Sequence, residues 1–94
     1  MIEALAKVIL PDQARLEVTY RRQHGELPDP VTFDASDNDI RGWVTEAIRT
    51  GGIRGIEADP TANLDDFVID RFHPVEGVRE HNLVQIRPKV EFGA

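Results

Sequence analysis

Leu16, Val18 and Tyr20 alternate with Arg15, Glu17, Thr19 and Arg21 along residues 14–22, the period of a strand that buries one face. The next stretch, 23–30 (QHGELPDP), collects Gly25, Pro28, Asp29 and Pro30, residues that tolerate or pre-set the backbone angles of turns, and it predicts a loop. Val31 and Phe33 then alternate with Thr32 and Asp34. A second strand is therefore expected to fold back on the first, as a hairpin with more than the minimal two-residue connection.

The period then changes. Ile40, Trp43, Val44, Ala47 and Ile48 fall at i, i+3, i+4, i+7 and i+8, with Arg41, Thr45, Glu46 and Arg49 on the other faces, which predicts an amphipathic helix. Ser36 or Asp37 can cap it, because either side chain can accept from free N–H groups of the first turn, where Asp39 adds favourable negative charge. Gly51 and Gly52 end it, since glycine takes the left-handed conformation that closes a helix, and Arg49 suits the last turn. Trp43, on the apolar stripe, is expected to pack in the core against Phe33 or Phe67.

Residues 53–66 (IRGIEADPTANLDD) lack a period and read as an irregular crossing with one short helical turn, pinned to the core by Ile53, Ile56 and Leu64. A strand follows over 67–72 (FVIDRF), with Phe67 and Ile69 on one side and Val68 and Phe72 on the other. Residues 73–82 read as a loop, and 83–87 (LVQIR) as a last strand that Pro88 ends or confines to an edge. Residues 88–94 (PKVEFGA) are expected to form an exposed, mobile tail. The first thirteen residues form an N-terminal extension, either a short helix using Leu5, Val8 and Ile9 or an added strand with Val8 and Leu10 facing inward, ahead of a domain over 14–87.

Ninety-four residues suit one domain with a single modest core. Cysteine is absent, which removes disulfides, thiolate metal sites and a cysteine nucleophile. A net charge of −6 repels a phosphate backbone, so nucleic acid is not an expected partner. Glu3 and Lys7 interrupt the apolar start, no cleavage signal follows, and no run reaches membrane-spanning length; the expectation is a cytoplasmic protein with no membrane partner.

The order of elements, a hairpin, a capped helix, an irregular crossing, two more strands and a tail, resembles ubiquitin and its relatives. Two stretches carry the resemblance: 33–49 (FDASDNDIRGWVTEAIR) is similar to the family's second strand and helix, and 81–93 (HNLVQIRPKVEFG) to a last strand running into a glycine-bearing tail. It implies an α+β fold of the β-grasp type, a mixed sheet with one amphipathic helix packed across it and with the first and last strands parallel at its centre. It also implies a protein modifier whose terminal carboxylate is activated by an adenylating enzyme, passed on by a conjugating enzyme as a thioester and joined to an amine. Glycine suits such a tail because it lacks a Cβ and leaves its carbonyl open to attack. Only Gly93 matches this pattern. The paired glycines are missing and Ala94 follows, so conjugation requires removal of Ala94, as by a tail-trimming peptidase, or a pathway that accepts a single glycine, with Phe92 and Lys89 as recognition points along the tail. A non-conjugated ubiquitin-like binding or adaptor domain is the alternative, and a sulfur carrier a third reading. The family's partners grip the exposed sheet face, for which Arg15, Glu17, Val68, Phe72 and Arg87 are the candidates.

Other sites have plainer readings. Glu57, Asp59, Asp65, Asp66 and Asp70 lack the alternating ligand spacing of a calcium loop and read as a solvated acidic face. His24, His73 and His81 lack helical zinc spacing and read as surface residues. Ser36, explained as a cap, has no nucleophile turn around it. No cofactor and no catalytic residue is expected, and the chain is read as a non-enzyme.

Overall fold

A computed structural model of the chain describes residues 8–89. Five strands and one helix occur in the order β1 (Gln13–Tyr20), β2 (Gln23–Glu26), β3 (Val31–Thr32), α1 (Asp37–Thr50), β4 (Val68–Phe72) and β5 (Asn82–Arg87). The sheet runs β2-β1-β5-β4, with β3 pairing the first residues of β1. β1 and β5 lie parallel at its centre, from Ala14 opposite Asn82 to Val18 opposite Ile86, and the remaining pairs are antiparallel. A mixed sheet with one helix packed across it is a β-grasp-like architecture.

The alternation in β1 gives the sheet its two faces. Ala14, Leu16, Val18 and Tyr20 are buried, while the residues between them are partly exposed. Val84 and Ile86 continue the inner face on β5, and Ile40, Val44 and Ile48 cover it from α1. Ile53, Ile56 and Leu64 are buried in the same cluster, so the irregular crossing is pinned where the sequence suggests. Each such aliphatic side chain contributes roughly 1.5–3 kcal/mol by leaving water.

Ser36 caps α1, its hydroxyl accepting from the Asp39 N–H at 3.1 Å. Gly51, with φ 76°, closes the helix, and the Gly52 N–H reaches the Ala47 carbonyl at 2.7 Å. The crossing is tied to that end: the Asp59 N–H donates to the Ile48 carbonyl, and the Arg49 guanidinium donates twice to the Ala62 carbonyl.

Three expectations are corrected. The first strand ends at Tyr20, and a two-residue turn of Arg21 and Arg22, both at positive φ (50° and 67°), returns the chain into β2, where a loop was expected. Its sequence offers no turn glycine, and β2 is a polar edge strand with no apolar alternation to reveal it. Gly25 belongs to that strand because an added Cβ would lie 2.5 Å from the Arg54 carbonyl oxygen and 2.6 Å from Ile53 Cγ2. Trp43 is not in the core: it is 43% exposed, because the sheet is met by the narrower stripe of Ile40, Val44 and Ile48, and Phe67 instead approaches Tyr20 while Phe33 meets the His73 ring edge-on. Val8 and Leu10 do not face inward; both are exposed, and residues 8–10 are neither helix nor strand. Leu5 lies outside the described residues.

Candidate functional site

The face of the sheet away from α1 follows from register. Val68 lies opposite Arg87, Asp70 opposite Gln85 and Phe72 opposite Leu83, while on the other side of β5 Arg15 pairs Leu83 and Glu17 pairs Gln85. These positions alternate with Ala14, Leu16 and Val18 on β1 and with Val84 and Ile86 on β5, which face the core; Leu83 is the one outer-face residue among them that is also buried. Arg15, Glu17, Val68, Phe72 and Arg87, the residues singled out from sequence, therefore share one outer face.

Its charged groups hold one another. Arg87 grips the Asp70 carboxylate through Nε at 3.1 Å and a terminal nitrogen at 3.0 Å. The Gln85 amide donates to Glu17 at 3.0 Å, and Arg15 Nε lies 3.6 Å from Glu17 and 3.9 Å from Glu26. Partly exposed pairs of this kind contribute about 0–1 kcal/mol each, so their main effect is to fix side-chain positions across the strands.

One corner of this face is apolar. Phe72 is 39% exposed and Val75 and Val78 are more so. The segment carrying the valines is shaped by a bridge between Val75 and Arg79, by Gly77 at φ 80°, and by Arg79, which donates to the His73 and His81 carbonyls with its guanidinium 5.9 Å from the Phe72 ring centre. Sequence reasoning missed Val75, Val78 and Arg79 because residues 73–82 were read as a loop; two valines within that polar stretch are the signal that would have pointed to them.

Two of the acidic residues, Asp59 and Asp70, are engaged through their carboxylates, while Glu57 and Asp65 are held through their backbone N–H groups. The Tyr20 hydroxyl donates to Asp59, Thr61 donates to it from both hydroxyl and backbone, and Arg21 lies 3.3 Å away. The Tyr20 hydrogen bond, followed by those of Thr61, lowers the Asp59 carboxyl to about 2, and the same bond raises the Tyr20 hydroxyl above its ordinary value. The Asp65 N–H is taken by Asn63, and Asp70 by Arg87. Among the described residues no group of three or more His, Asp or Glu is placed to hold a metal ion.

The histidines are not uniformly at the surface. His24 is exposed beside the Thr19 hydroxyl at 3.1 Å, whereas His81 Nε2 is buried without a hydrogen-bond partner among the described residues. Lys89 is exposed just beyond β5, beside a shallow cleft lined also by Arg41, Asp65, Asp66, Phe67 and Pro88. Phe92, Gly93 and Ala94 lie outside the described residues. No described helix is long and apolar enough to cross a membrane. The chain matches no family model, no curated protein and no solved structure.

Proposed function

We propose that this chain is a ubiquitin-like protein modifier. It presents the outer sheet face to partner proteins and is joined to target amines through the carboxylate of Gly93, once the peptide bond to Ala94 has been hydrolysed. The observation that carries the reading is the parallel pairing of β5 with β1 at the centre of a β-grasp-like sheet. That arrangement holds the last strand on both sides, by β1 and by β4, as a modifier requires of the strand that precedes its reactive tail. The activating and conjugating chemistry belongs to separate adenylating and conjugating enzymes, with a peptidase exposing Gly93; Lys89 and Phe92 are the contacts they would read along the tail.

A second reading is a non-conjugated adaptor domain. It is favoured by the apolar corner of Phe72, Val75 and Val78 beside a fixed ladder of charge, which is a docking surface whether or not a tail reacts.

Intact-mass measurement separates the two. Wild-type protein, a Gly93→Ala variant and a form ending at Gly93 are incubated with ATP in a lysate of the source cells. Covalent adducts that form with wild type and with the shortened form, and vanish with Gly93→Ala, establish conjugation. If no adduct forms in any sample, the modifier reading falls and the adaptor reading stands, to be followed by capture of partners on wild type against Phe72→Asp.

A further inference from the structure

The turn that joins β1 to β2 consists of two arginines, Arg21 and Arg22, at φ 50° and 67°. Both lie in the left-handed region, where the Cβ of an L-residue crowds its own backbone and where Gly or Asn is the usual occupant. Arg21 has contacts that explain it: its guanidinium lies 3.3 Å from the Asp59 carboxylate and 5.4 Å from the Tyr20 ring centre. Arg22 has none. Its side chain is exposed and makes no hydrogen bond or ion pair among the described residues, so no contact within the fold offsets the conformational cost of holding it there.

A second free guanidinium belongs to the same hairpin. The crossing after α1 packs against β2 so closely that a Cβ added at Gly25 would lie 2.5 Å from the Arg54 carbonyl oxygen, and one added at Gly55 would lie 2.5 Å from that of His24. Further along, the Glu57 N–H donates to the Gln23 side chain at 2.7 Å. Arg54 is thereby fixed beside Gly25, about 10 Å along the strand from Arg22. Its side chain is also exposed, without hydrogen bond or ion pair among the described residues. Of the acids on this segment, Asp59 is engaged by Tyr20, Thr61 and Arg21, and Glu57 is exposed with no ion pair to either free arginine.

We propose that this hairpin is a contact site for an acidic segment of a partner protein, with Asp or Glu carboxylates seated on Arg22 and Arg54. A guanidinium offers paired N–H groups that match the two oxygens of a carboxylate. An extended peptide of three or four residues covers the distance between the two arginines. The net charge of −6 favours this occupant over a nucleic acid, because it repels a long polyanion, whereas a short acidic segment meets the two guanidinia at contact and is screened from the rest of the molecule. The proposal needs neither conjugation at Gly93 nor the outer sheet face, and its test uses no ATP and no enzyme.

The test uses the full chain labelled with nitrogen-15, a synthetic peptide of consecutive glutamates between glycines, its glutamine counterpart, and a thymidine oligonucleotide of the same charge. NMR reads the Nε–H signals of the individual arginines and the backbone amides of the turn. The glutamate peptide is expected to shift the Arg22 and Arg54 signals saturably, and less as salt rises, while the glutamine peptide shifts neither. Arg22→Gly and Arg54→Gln should each weaken binding about two- to fivefold, the double variant should lose it, and Glu57→Gln should tighten it. Arg22→Gly decides most, because glycine at this φ is expected to stabilise the fold while the site loses affinity; an arginine held for the fold alone would not separate the two. Urea unfolding of each variant supplies the stability. Binding that is indifferent to both arginine variants, or equal for the glutamine peptide, overturns the proposal. So does tighter binding of the oligonucleotide, which would make the occupant a nucleic acid, and so do peptide-free shifts at Arg22 and Arg54 that grow with protein concentration, which would make it a second copy.

Discussion

Arg22→Gly is expected to stabilise the protein. Arg22 holds φ at 67° in the two-residue turn between β1 and β2, a conformation that crowds the Cβ of an L-residue against the following carbonyl and costs roughly 1–2 kcal/mol. Glycine removes that cost but adds about 0.5–1 kcal/mol of freedom to the unfolded chain, leaving a net gain of about 0–1.5 kcal/mol, centred on about 0.75 kcal/mol. In a domain of this size the central value raises Tm by about 3–6 °C. Arg22→Ala is the control, because it removes the exposed guanidinium yet keeps the Cβ; it should stay within about 0.5 kcal/mol of wild type. The neighbour, Arg21, is a poorer place for the same change, since its guanidinium lies 3.3 Å from Asp59 and 5.4 Å from the Tyr20 ring centre. Urea unfolding followed by Trp43 fluorescence gives the comparison, as a rise in midpoint at constant slope. If Arg22→Gly is no more stable than Arg22→Ala, left-handed strain at this turn is not what limits the hairpin, and the reasoning fails.

Two further outcomes are expected. Asn82, buried at 6% exposure, donates from its amide to the Pro11 and Gln13 carbonyls at 2.9 Å each, so Asn82→Ala should cost about 1–3 kcal/mol in urea unfolding, and Asn82→Asp more, because it points a carboxylate at the same carbonyls. Tyr20→Phe should raise the Asp59 carboxyl from about 2 toward its ordinary value in an NMR titration, because the hydroxyl is the largest cause of the depression. Since a lowered carboxyl stabilises the fold above its unfolded value near 4 and loses that contribution as pH falls toward 2, wild type and variant should converge in stability across that acid window; an Asp59 titration unchanged by the substitution would contradict the assignment.

Most of the architecture was legible because burial imposes a period. β1 alternates, α1 repeats its aliphatics every four residues between a serine cap and a glycine stop, and Val68 and Phe72 fall on the side opposite Ile69, which is how five candidate residues came to share one face. The missed features are those in which no side chain has to be buried. β2 is a polar edge strand whose glycine serves close backbone approach, and the turn before it uses two arginines where sequence rules look for Asn or Gly. Trp43 misled for a related reason: hydrophobicity marks the apolar stripe of a helix, but only the width of the sheet beneath decides which edge of that stripe is covered. The outer sheet face as a whole has no local pattern, since register between strands far apart in the chain assembles it, whereas Phe72, Val75 and Val78 are neighbours in sequence whose spacing matches neither a strand nor a helix.

The parallel contact of β1 with β5 has a consequence in time as well as in space. Glu17 and Gln85, hydrogen-bonded across it, are 68 positions apart. The ordering cost of closing so long a loop falls before any of the central pairing repays it, which slows folding relative to domains built from neighbouring contacts. During synthesis the β1–β2 hairpin and α1 emerge first, with the inner face of β1 awaiting Val84 and Ile86. The centre of the sheet can therefore assemble only after β5 has cleared the ribosome, so the nascent domain stays open until Arg87, the last residue of β5, has been added and has emerged.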